Sequence, residues 1–121
     1  MPLVKTILKN SSQEVVIKWV GAGTDTLTLA SLVSTGQTVS GTIPPTATIT
    51  GIKGSVSSTS NAIVTRNLIE VLVAYGNFTY GRGDFLYASL SEQAKESIVV
   101  TLATSGTLII KVDKNQGYVT V

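Results

Sequence analysis

Apolar and polar residues alternate with a period of two along most of this chain, which is the signature of half-buried β-strands. Leu3 to Leu8 reads as a first short strand. From Glu14 to Val20, Val15, Ile17 and Trp19 fall on one face and Val16, Lys18 and Val20 on the other, which assigns Trp19 to the core. Gly21-Ala22-Gly23 then predicts a break, and Thr24 to Val33 alternates again with Leu27 and Leu29 pointing one way. Ser34 to Pro45 reads as a connection, because the Pro44-Pro45 pair cannot donate to a sheet ladder. Thr46 to Ile52 resumes a strand, and Gly54 to Asn61 is a Ser-rich turn region.

The second half is denser. Ala62 to Arg66 and Leu68 to Tyr75 predict paired strands joined around Asn67, a residue that tolerates turn geometry. Turn signals at Gly76-Asn77 and at Gly81-Arg82-Gly83-Asp84 flank Phe78-Thr79-Tyr80 and Phe85-Leu86-Tyr87. Ser89-Leu90-Ser91-Glu92 has capping-box spacing, which allows one helical turn over Ser91 to Glu96. Ile98, Val100 and Leu102 alternate, Thr104-Ser105-Gly106 predicts a turn, and Leu108, Ile110 and Val112 answer on a following strand. Asn115-Gln116-Gly117 turns the chain into a last strand, Tyr118 to Val121. The expectation is an all-β, single domain over residues 1–121: an antiparallel β-sandwich or jelly roll of about eight short strands. No helix of ten or more residues fits between strands, which argues against parallel βαβ units.

Composition sharpens this in one respect. The chain is 43% hydrophobic and only 13% charged, where about 25% charged is ordinary. Ser and Thr occupy much of the remainder. Such a surface costs little charge desolvation when it meets other protein, which points to assembly. The lysines are scattered along the sequence and the net charge is +2, so the clustered cations that neutralise phosphates are not expected. No apolar run approaches the roughly 20 residues of a membrane-spanning helix. The N-terminal residues lack the apolar centre of a secretory signal, so synthesis and retention in a cytoplasm are expected.

Candidate chemistry is sparse. The chain has no Cys and no His, which removes disulfides, thiolate metal sites and the usual general base at neutral pH. Gly21-Ala22-Gly23 lacks the third glycine and the helix of a dinucleotide loop. Asp113 to Gly117 begins like a calcium loop, but no later Glu supplies the bidentate ligand. Arg82-Gly83-Asp84 spells an integrin-type tripeptide, but any tripeptide arises by chance and a tight turn between aromatic strands is the better reading. Asn10-Ser11-Ser12 and Asn77-Phe78-Thr79 match the N-glycosylation pattern, which matters only for an exported chain. The expectation is therefore no catalytic residue, no metal and no cofactor. Tyr75, Phe78, Tyr80, Phe85 and Tyr87 cluster in sequence, and Tyr suits protein interfaces and sugar platforms alike.

The run Ile63-Val64-Thr65-Arg66-Asn67, then Tyr75-Gly76, Ser97 to Thr101, and Ser105-Gly106-Thr107-Leu108-Ile109-Ile110-Lys111-Val112 resembles small β-rich structural proteins encoded near the capsid genes of marine tailed phages, including cyanophages. The resemblance spans roughly residues 3 to 113, and Leu68-Ile69-Glu70 departs from it where a Gly or Asn turn usually follows. It implies a decoration or cement protein on the capsid surface, assembled in the bacterial cytoplasm. Its partners would be the major capsid protein or other virion proteins, and it would form a homo-oligomer, a trimer or dimer, with no nucleic acid or membrane partner. A tail, baseplate or connector component and a carbohydrate-binding module are the alternatives. Turn position and polarity nominate Leu3, Val4, Pro44, Pro45, Tyr80, Arg82, Asp84 and Phe85 as the contact residues.

Overall fold

The computed structural model describes residues 3–57, 59–66, 69–81 and 96–120. Among the described residues nine strands follow in chain order: β1 (Val4–Asn10), β2 (Glu14–Leu27), β3 (Gln37–Val39), β4 (Thr46–Ser55), β5 (Ala62–Arg66), β6 (Ile69–Ala74), β7 (Asn77–Gly81), β8 (Ile98–Gln116) and β9 (Tyr118–Thr120). Every pairing between them is antiparallel. Seven strands form one sheet with the path β1-β2-β8-β4-β7, while β5 and β6 attach through β8; β3 and β9 make a separate ribbon.

Two long strands, β2 and β8, form the spine, and both bend at the same level. Gly21 and Gly23 have φ of +119° and +138°, a region L side chains rarely adopt. Opposite them, Gly21 pairs with Gly106 and Gly23 with Leu102, so Ala22 faces three residues of β8. That surplus is a bulge, and it turns the sheet through a corner. Beyond the corner, Ile98 to Leu102 lies between β2 and β5; before it, Thr107 to Asp113 lies between β2 and β4. The sheet thus doubles over into two layers.

The inward rows of both layers make one core. Val15, Ile17, Trp19, Ile49, Leu108, Ile110 and Val112 from one layer pack with Leu27, Ala62, Val64, Ile98, Val100 and Leu102 from the other, all essentially without solvent contact. Burying each large side chain contributes roughly 1.5–3 kcal/mol. A 3-10 helix, Leu29–Leu32, drops Leu29 and Leu32 into the same core.

Several expectations change. Gly21-Ala22-Gly23 does not end a strand, because its glycines let β2 bend and continue to Leu27. Thr104-Ser105-Gly106 is no hairpin turn: the two predicted strands are one bent strand of 19 residues. The alternation predicted over Thr24 to Val33 stops at Leu27, where the 3-10 helix keeps Leu29 and Leu32 facing inward by a different periodicity. The predicted connection before Pro44 contains the short strand β3. The expected helical turn over Ser91 to Glu96 and the strand over Phe85 to Tyr87 lie outside the described residues, apart from Glu96.

Candidate interaction surface

Both ends of the doubled sheet are closed, by different means. The corner closes one. At the other, the inward rows end on cations: Ala62, Val64 and then Arg66 along β5, and Leu108, Ile110, Val112 and then Lys114 along β8. Arg66 is fully buried. Its Nη1 donates to Ala47 O at 2.8 Å in the opposite layer, and its Nε and Nη2 donate to Glu96 O at 3.2 and 2.8 Å. Burial pushes the guanidinium down to about 10, with Glu96 opposing, so it stays charged at neutral pH.

Lys114 is held as firmly. Its Nζ donates to Asn10 Oδ1 at 2.9 Å, Ser11 O at 2.8 Å and Gln37 Oε1 at 2.7 Å, and it lies 5.3 Å from the centre of the Tyr118 ring. An ammonium has three protons, and three acceptors use them. Burial lowers its pKa as well. Tyr118 donates its hydroxyl to Leu29 O at 2.7 Å, and burial raises it to about 12 against the pull of Arg66. A polar cleft of about 540 Å³ opens over this cluster between Lys9–Glu14 and Asp113–Tyr118. Lys114 and Tyr118 there serve backbone and side-chain amide acceptors, while Lys9 Nζ donates to the Glu14 carboxylate. The arrangement ties β1, β3, β8, β9 and the 3-10 helix together. Among the described residues no group of three or more His, Cys, Asp and Glu could hold a metal ion.

The surface of β1 is the opposite case. Among the described residues this seven-residue strand pairs only with β2, so its other side presents to them an open ladder of backbone donors and acceptors. Val4, Ile7 and Leu8 along it are 52%, 46% and 52% exposed, and every residue from Val4 to Lys9 is exposed. A bulge between Ile7 and Lys9 and the lysines at 5 and 9 temper this edge without covering it.

The nominated contact residues do not gather into one patch. Leu3 packs against the core and Val4 is exposed opposite Val20, both near the corner. Pro44 is exposed and Pro45 half-buried at the far end, beside Gly117, whose φ is +84° and where a Cβ would overlap Pro45. Tyr80 lies on β7, at the other sheet edge from β1, half-buried and stacked on the buried Phe78 with ring centres 6.2 Å apart. Arg82, Asp84 and Phe85 lie outside the described residues. Among the described aromatics of this stretch, Phe78 and Tyr80 face inward and Tyr75 is exposed; Phe85 and Tyr87 lie outside the described residues.

Sequence reasoning passed over Arg66 and Lys114, although a signal existed: each continues an inward-facing row in phase. Comparison with family models, with curated proteins and with solved structures gives no match.

Proposed function

We propose that this chain is a non-enzymatic structural protein of a virus particle, a decoration protein that binds the outer capsid lattice and stabilises the shell. The observation that carries the binding part of this reading is β1: an open strand edge bearing exposed Val4, Ile7 and Leu8. Soluble domains normally cover or shorten such an edge, and one left open suits a partner that completes it. The low charge of the surface and the resemblance of residues 3 to 113 to tailed-phage virion proteins support the viral part.

The mechanism is thermodynamic. A protein that binds the closed shell across neighbouring capsid subunits, and not the dissociated subunits, adds its binding free energy to the shell. Shells offer symmetric sockets, so the protein would act as a dimer or trimer.

Co-sedimentation with shells stripped of this protein tests the reading. The wild-type chain pellets with the shells, and Ile7→Asp with Leu8→Asp, which places charge along the open edge without touching the core, reduces binding by more than about tenfold. Wild-type protein that stays in the supernatant overturns the proposal.

A further inference from the structure

Four lysines far apart in the sequence share one outward face. Register places Lys9 and Lys111 on either side of Val16, and Lys18 and Lys53 on either side of Ile109. Glu14 serves two of them, with Oε1 at 3.0 Å from Lys9 Nζ and Oε2 at 3.3 Å from Lys111 Nζ. Asp113 stands at the same end, next to Glu14 in register. Among the described residues, Lys18 and Lys53 have no carboxylate partner.

The floor between these lysines is apolar and indented. Gly51 pairs with Lys111 and brings no side chain to the face, leaving a hollow of about 250 Å³ over Val16, Ile109 and Tyr80. A second hollow of about 370 Å³ adjoins it and shares Lys53, Thr79 and Ile109. Together they form a groove across β8, β4 and β7.

We infer that this groove docks an acidic segment of a partner protein, with an aliphatic side chain seated over Gly51 and carboxylates beside Lys18, Lys53 and Lys111. The inference rests on the reading of the chain as a protein-binding component. Charge selects the occupant: a second copy would bring its own lysines against these, whereas carboxylates neutralise them. The floor argues for protein over nucleic acid. Val16 and Ile109 on it are aliphatic, and its two aromatics, Tyr80 and Phe78, are stacked on each other toward the core and offer no open ring for a base.

The test is a titration of the ¹⁵N-labelled chain with acetyl-Asp-Asp-Leu-Asp-Asp-amide, its lysine counterpart, and a thymidine 12-mer. The acidic peptide shifts the amides of Val16, Gly51, Lys53 and Ile109 saturably, and more weakly as salt rises. Lys18→Glu with Lys53→Glu weakens it by about fivefold or more. Gly51→Ala fills the hollow at ordinary contact distance from its neighbours, 3.7 Å, and weakens it without disturbing the fold. Shifts scattered outside the groove, indifference to these variants, equal response to the lysine peptide, or tighter binding of the 12-mer overturns the inference. Co-sedimentation with shells is read separately, so a failure here leaves a failure there distinguishable.

Discussion

The Trp19 indole donates to the Asp25 carboxylate at 2.8 Å although both lie on β2, six positions apart. In a straight strand they would stand about 20 Å apart. The contact is possible because Gly21 and Gly23 fold the strand over, and it pins one layer to the other. Asp25→Ala leaves a buried indole N–H without its partner and should lower stability by about 1–3 kcal/mol in urea unfolding. Asp25→Asn keeps an acceptor and should cost less.

The corner itself depends on backbone conformation more than on space. A Cβ on Gly23 would meet Leu3 Cβ at an ordinary 3.5 Å, so the cost of Gly23→Ala lies in its φ of +138°. We expect about 1–3 kcal/mol from Gly21→Ala or Gly23→Ala. Thermal unfolding checks it; unchanged stability in both would mean that the bend is held elsewhere. Gly106→Ala adds a steric penalty, since its Cβ would come within 2.7 Å of Val56 Cγ1.

This corner marks where sequence reasoning stopped. Alternation located Val15, Ile17, Trp19, Ile98, Val100 and Leu102 on the buried face. It could not separate a strand that ends at Gly21-Ala22-Gly23 from one that bends there, because glycine permits both and the choice depends on the partner strand. The same ambiguity split β8 at Gly106. The lysine-rimmed groove was hidden for a related reason: Lys9, Lys18, Lys53 and Lys111 meet only through the register of four strands, and their sequence separation conceals it. The exposure of Ile7 and Leu8 on β1 was not legible, because alternation cannot tell a covered edge strand from an uncovered one.

Arg66 should be the most sensitive polar position. Arg66→Met removes the donors to Ala47 O and Glu96 O and leaves these carbonyls unserved inside the closed end. A loss of about 2–5 kcal/mol is expected, measured by chemical denaturation. Arg66→Lys should recover only part of it, because an ammonium cannot span both acceptors as the planar guanidinium does.

Alkaline pH probes Tyr118. Its folded-state pKa is raised to about 12 from an ordinary 10.0, so the unfolded chain releases this proton first. Its contribution is complete below about pH 10 and is lost as pH rises through 12. Lys114 and Arg66, both lowered by burial, act in the opposite direction over the alkaline range. Comparing the wild type with Tyr118→Phe between pH 9 and 12 isolates the tyrosine: the variant should lose less stability with rising pH. Parallel curves would contradict the assignment.

On the acid side, Glu14 is held below its ordinary 4.5, chiefly by the hydrogen bond from Lys9, with desolvation opposing and Lys111 assisting. The ion pair's contribution is therefore present above pH 4.5 and is lost as pH falls through the lowered value. In a carboxyl NMR titration Lys9→Ala should move the Glu14 midpoint upward, and an unmoved midpoint would show that Lys9 does not hold it.

The most direct test of the central claim is the number of copies of this chain in purified particles, counted by quantitative mass spectrometry against the major shell protein. Lattice decoration predicts a ratio near unity or a simple fraction of it, set by the symmetry of the socket. A ratio of a few per cent would move the chain to the tail or connector, and absence from particles would contradict the virion assignment outright.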